Sequence, residues 1–390
     1  MLGLAAACGT YGEEDSAVTA PIPADGGTDA NDAGSTDPES GPPARPRPFH
    51  IDVEFDDTAA DLGGAQVIDT TARKIEPVPG RTIGTYRFEE RGGFAVLFVG
   101  RWDVDEDVEI VGDRPLIVVA SKAVDVRAYV EAAATKDTPG PGGFGSGKGP
   151  GAGLAGAGAG NDSGGGGASF GGSGAAGGTS DSAVAGGAAG PTYGGSIRDF
   201  LGGSGGGNGS PFGALTCAGK VAGGAGGGAF QITSAIAITV ASSGIIDVGG
   251  GGGLGGCLNG TDDSTSGGGG GSGGTIFLEA PRIDVKGALV ANGGGGGGGA
   301  SFATGQPGQP GTDALTTTKP APGGTGGKPE RSGGSGGSIE APPQTPAGMA
   351  DNAGGGGGGV GRIWLRTRNA PAVVDQAAVV SPAVSVDTNF

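Results

Sequence analysis

The chain has 390 residues, 96 of them glycine, with aromatics at 5% and a formal net charge of −17. That acidity argues against a nucleic-acid partner, because phosphate backbones select Lys/Arg-rich surfaces, and it disfavours adsorption onto anionic lipid. So few aromatics leave a core to Val, Ile, Leu and Ala, and glycine without a G-X-Y period excludes collagen and signals low complexity around a smaller folded part.

The first ten residues, "MLGLAAACGT", form a short apolar, small-residue run ending at Cys8. The run resembles the end of a bacterial lipoprotein signal, which implies Cys8 as the lipidated residue and residues 1–8 as a signal-like remnant. Residues 9–48 carry eight acids, two arginines and almost no large apolar side chain. Such a segment buries too little surface to offset its ordering entropy and is expected to be a disordered acidic tether. Residues 49–93 hold strand-like phrases, "FHIDVEF", "AQVIDTT" and "IGTYRFEER", expected to cap or begin a stack. No stretch approaches 18 apolar residues, so no membrane-spanning helix is expected.

From residue 94 a phrase of about 22 residues recurs. Its apolar positions are Ala95, Leu97, Trp102, Val104, Val108 and Ile110 in one copy and Ile117, Val119, Val124, Val126, Val130 and Ala132 in the next. Ile238, Val240, Ile246 and Val248 belong to a third copy, Ile276, Leu278, Ile283, Val285, Leu289 and Ala291 to a fourth, and Ile363 and Leu365 to a final half-copy. Period-two spacing means strand. Three short strands per 22 residues, in fixed register, predict an all-β fold: a right-handed parallel β-helix over 94–390. A single rung of about six inward aliphatics, each worth about 1.5–3 kcal/mol, cannot offset its own ordering and needs its neighbours.

Glycine-rich insertions at about 133–228, 249–274 and 293–360 always follow the last strand of a rung, where the first copy turns tightly through "VGDRP". Glycine has the most freedom to lose and nothing to bury, so mobile loops along one edge are the default and a bundle of polyglycine-II-like helices is the alternative. The phrases "GDRPLIVVASKAVDVRAYVEAAATKDTPGPGG", "GGSGGTIFLEAPRIDVKGALVANGGGG" and "GGGGVGRIWLRT" resemble glycine-rich secreted proteins of the myxobacterial type. A looser similarity to mycobacterial PE-PGRS proteins rests on composition alone. The resemblance implies compartment and fold, and no activity.

Asp103, Asp105, Asp125 and Asp284 are expected on outward faces, with Asp103, Asp125 and Asp284 in one column. Stacked like charges repel. Either Arg101, Arg127, Arg282 and Lys286 relieve them as a solvated charge ladder, or calcium does, the only cofactor the pattern suggests. Cys217 and Cys257 are an even pair in an exported chain and read as a disulfide across about 40 residues. G-x-S-x-G around Ser169 and Ser204, and "GGFGSGKGP" around Lys148, are chance products of glycine saturation: the only histidine is His50, and Lys148 is followed by glycine where a phosphate loop needs Ser or Thr. The expectation is therefore a non-enzymatic protein of the cell envelope or extracellular surface, held at the outer membrane only through its lipid anchor. It would display glycine-rich loops as a monomer, with surface glycans or matrix as partners. A carbohydrate-binding module and, further off, a polysaccharide-degrading β-helix enzyme are the alternatives.

Overall fold

The computed structural model describes residues 47–157, 162–210, 221–259, 263–368 and 370–389; Cys8, the acidic tether and Cys217 lie outside them. The described chain is all-β, and its helical elements are two three-residue 3-10 turns, Phe302–Thr304 and Pro329–Arg331. Three sheets of six, seven and seven strands are built chiefly by parallel pairing. The chain visits them in a fixed order. Phe94–Val99 lies in the first sheet, Trp102–Val104 in the second and Val108–Val111 in the third, after which Leu116–Ala120 returns to pair with Phe94–Val99. Ala229–Ser234, Thr275–Glu279 and Arg362–Arg366 begin the later cycles in the first sheet.

Residues 49–93 do more than one thing. Leu62–Gly63 and Ala65–Asp69 join the second and third sheets in parallel, while Lys74–Pro77 and Arg87–Arg91 add antiparallel strands that end the third and first sheets. Ahead of them, Phe49, Ile51, Val53 and Phe55 lie on the outer face of the first sheet, against Val96, Phe98, Ile117, Val119 and Phe277.

Register in the second and third sheets follows the 22-residue spacing: Trp102 pairs with Val124, Val104 with Val126 and Val108 with Val130. Val104 and Val126 are both buried in the central aliphatic core. The first sheet departs from that spacing. Ala95 pairs with Leu116 and Leu97 with Val118, a step of 21 residues. Leu116 and Val118 therefore point into the core, and Ile117 and Val119, expected inward, point to the outer cluster. All five residues of Leu116–Ala120 are buried. When both faces of a strand are covered the period-two signal vanishes, and a one-residue slip exchanges every face.

The insertions leave from the ends of third-sheet strands and return at the starts of first-sheet strands, at the corner the sequence indicated. Their expected mobility is not what the structure has. Residues 249–253 and 265–274 are buried throughout, and the segments are extended and hydrogen-bonded to one another.

Candidate functional site

The glycine-rich bundle is the largest feature that the aliphatic stack does not explain. Its rule is visible in residues 267–272, where every residue donates one backbone hydrogen bond and accepts another. Gly267, Gly270 and Gly273 donate to Ala353, Gly356 and Gly359; Gly268 and Gly271 donate to Leu254 and Gly251; Gly269 and Ser272 donate to Gly207 and Ser204. Gly165 and Ala168, Gly224 and Gly227, and Gly294 and Gly297 donate back to carbonyls of the same segment. Partners recur every third residue, the periodicity of the polyproline-II conformation, which has no internal hydrogen bonds and must find them elsewhere.

Six neighbouring segments thus surround this one, and the steric consequence is direct. A Cβ on Gly267 would lie 2.0 Å from Gly297 O, on Gly269 2.0 Å from Gly166 O, and on Gly270 2.1 Å from Gly294 O. Segments at the rim obey the same rule with fewer packed faces. In Gln306–Ala314, "QPGQPGTDA", Gly308 and Gly311 are buried and donate to Gly256 and Gly253, while Pro307, Gln309, Pro310 and Thr312 are exposed. Runs of glycine mark surrounded segments, and one glycine in three marks an edge.

The aspartate column is occupied by arginines. Asp103 pairs across strands with Asp125, but Thr239 stands between Asp125 and Asp284, so the expected unbroken column is interrupted. Arg101 lies 2.9 Å from Asp125, Arg127 3.5 Å from Asp103 and 3.7 Å from Asp125, and Arg282 2.6 Å from Asp284; Arg127 also pairs with Asp105. Among the described residues no group of three or more His, Cys, Asp or Glu is arranged to hold a metal ion.

A second acidic column has no clear signal in the sequence. Glu109, Glu131 and Asp247 occupy adjacent positions on neighbouring third-sheet strands, and none of the three has an ion-pair partner among the described residues. Burial pushes the Asp247 carboxyl up to about 6, against hydrogen bonds from the Tyr129 hydroxyl and the Gly249 N–H. Burial also raises Glu131, helped by Glu109, Asp107 and Asp313.

His50 belongs to a buried network under the N-terminal segment. Its ring nitrogens lie 2.7 Å from Gln231 Oε1 and 2.9 Å from the Ile197 carbonyl, and burial lowers its pKa. Glu279, with no exposed side-chain surface, accepts from the Phe49 N–H, Gln231 and Thr233 and pairs with Arg366 at 3.2 Å. The network fastens Phe49 and His50 to the strands Ala229–Ser234, Thr275–Glu279 and Arg362–Arg366. Sequence offered no signal for it beyond a lone histidine.

The remaining motifs are structural. The Ser169 hydroxyl donates to the Gly190 carbonyl, and the Ser204 hydroxyl donates to the Tyr193 hydroxyl and accepts from the Gly151 N–H. Neither contacts His50. Cys257 is disulfide-bonded, while Cys217, its expected partner, lies outside the described residues. No described helix is long and apolar enough to cross a membrane. No family model, no curated protein and no solved structure matches the chain.

Proposed function

We propose that the chain is a non-enzymatic structural or adhesive protein of the cell envelope: a right-handed parallel β-helix, lipid-anchored through Cys8, that carries the glycine-rich bundle along one corner. The observation that carries this reading is the bundle itself. Its segments satisfy their backbone hydrogen bonds with one another and bury their glycines, so the stack supports a stiff slab rather than loose loops. A slab made of backbone offers extended surface and few functional groups, which suits contact with matrix or surface glycans better than turnover. The interlocked Asp–Arg ladder and the structural serines fit the same reading.

A carbohydrate-binding role draws on a groove of about 450 Å³ lined by Asp52, Glu54, Asp56, Asp57, Arg87 and Arg91. Its carboxylates and guanidinia match the hydrogen-bonding needs of sugar hydroxyls. Incubation with polyuronates and glucans separates the readings: retention without new reducing ends is expected, and depolymerisation would overturn the non-enzymatic proposal. For the anchor, Cys8→Ser should move the protein from the membrane to the soluble fraction; unchanged fractionation refutes lipidation.

A further inference from the structure

The bundle has two rims of opposite character. One is studded with exposed prolines, Pro307, Pro310, Pro322 and Pro329, and carries Asp313, Lys319, Lys328 and Glu330. Proline has no N–H and cannot extend a hydrogen-bonded array, so this rim is closed as natural sheet edges are closed. The other rim consists of residues 149–157 and 182–191, joined by the Leu154 N–H donating to the Ala188 carbonyl. It is uncharged along both segments, in a chain whose net charge is −17. Leu154 is 60% exposed there. The N–H groups of Ala155, Ala185, Gly186, Ala188 and Ala189 take no part in the hydrogen bonding of the described residues, nor do the carbonyls of Ala152, Ala155, Ala185 and Ala189.

We infer that this open rim is where a second copy of the chain docks, continuing the bundle across a two-fold axis. Three features select that occupant. An added segment must be extended with a three-residue repeat and glycine wherever it meets a packed face, since a Cβ on Gly187 already falls 2.0 Å from the Leu154 carbonyl. Antiparallel neighbours are normal in this bundle, as Gly293, Gly296 and Gly299 donating to Gly337, Gly334 and Arg331 show. The same rim can therefore meet itself, the isologous arrangement of a closed dimer. Finally, a charge-free surface is where two strongly acidic chains approach with least repulsion. The proposed dimer differs from the monomer expected from the sequence, and it stands independently of the adhesive reading.

The test is sedimentation equilibrium of the full chain over a dilution series, with the double variant Ala185→Pro, Ala188→Pro beside it. Proline favours the extended conformation and removes only N–H groups that the fold leaves unused, so the variant should melt at the parent temperature. The parent is expected to be a dimer, and the variant to dissociate at least tenfold more readily. Leu154→Glu, at an exposed position, should do the same if the proline variant folds poorly. A parent that is monomeric throughout the series, or variants that dimerise like the parent, would overturn the inference.

Discussion

The aliphatic stack and the glycine bundle bury chain by opposite means. In the stack, side chains such as Leu278, Ile246 and Val126 fill the interior, and parallel strands take up the backbone hydrogen bonds. In the bundle the interior is mostly backbone with small buried side chains such as Ala168, Ser204, Ala225 and Ser272, and six neighbours crowd Gly267–Gly271 so closely that a Cβ there would lie 1.9–2.3 Å from a carbonyl oxygen. The stack gains chiefly from removing apolar area from water. The bundle gains from backbone hydrogen bonds and close contacts, which must outweigh the large ordering entropy of glycine. Each region therefore fails under the change the other tolerates.

The largest expected effects come from that opposition. Leu278→Ala leaves a cavity in the stack and should cost about 3–4 kcal/mol. Gly270→Ala removes nothing, yet its methyl meets Gly294 O at 2.1 Å and Gly358 N at 2.9 Å, all rigid backbone. Overpacking of this kind should cost about 3 kcal/mol. Denaturant unfolding of both variants measures this, and a neutral Gly270→Ala would mean the segment is not surrounded in solution.

The two acidic columns sharpen the comparison through pH. On the third sheet, Glu109, Glu131 and Asp247 have no ion-pair partner among the described residues, and burial holds Asp247 at about 6 where the ordinary value is 3.8. A carboxyl whose pKa rises on folding binds its proton more tightly in the folded chain. Its contribution is complete below about pH 4 and is lost as pH climbs through 6, at most about 3 kcal/mol for a shift of two units. Asp247→Asn keeps a carbonyl for the Gly249 N–H and an amide for the Tyr129 hydroxyl, so it should flatten this fall in melting temperature between about pH 4 and 7. A slope equal to the parent's would show that Asp247 is not its source. On the second sheet the arginines replace the proton. Arg127 is half-exposed beside Asp105, Asp103 and Asp125, so Arg127→Gln should cost under about 1 kcal/mol, less still in high salt.

Legibility followed the same divide. The period-two phrases placed the second- and third-sheet strands in register, because one face of each is aliphatic and the other polar, as Val124–Asp125–Val126 shows. Leu116–Ala120 misled because Phe49, Val53 and Phe55 cover its outer face from sequence-distant positions. The insertions misled for a different reason. Glycine's entropy is visible residue by residue, whereas the hydrogen bonds that offset it join residues as far as 191 apart, such as Gly356 to Gly165. A usable signal was nevertheless present. Triplets change from GGG through "SGGSGGS" at 332–338 to "PGQPGT" at 307–312, and that gradient counts packed faces. The Glu279–Arg366–His50 network carried no comparable pattern, since its members come from five separate segments.

The smallest predicted effect discriminates best between a packed bundle and a flexible low-complexity region. Gly145 also lies in a glycine-rich insertion, but a Cβ built on it meets nothing within 4 Å, and its φ is not in the left-handed region. Alanine there should stabilise by about 0.5 kcal/mol, because it restricts the unfolded chain without disturbing the folded one. If the insertions were mobile, Gly145→Ala and Gly270→Ala would both sit within a few tenths of a kcal/mol of the parent. Opposite signs at two glycines indistinguishable by composition require that one is enclosed and the other open. Melting temperatures of the two single variants, measured side by side, read that sign, and equal values would remove the basis for treating the bundle as a built surface.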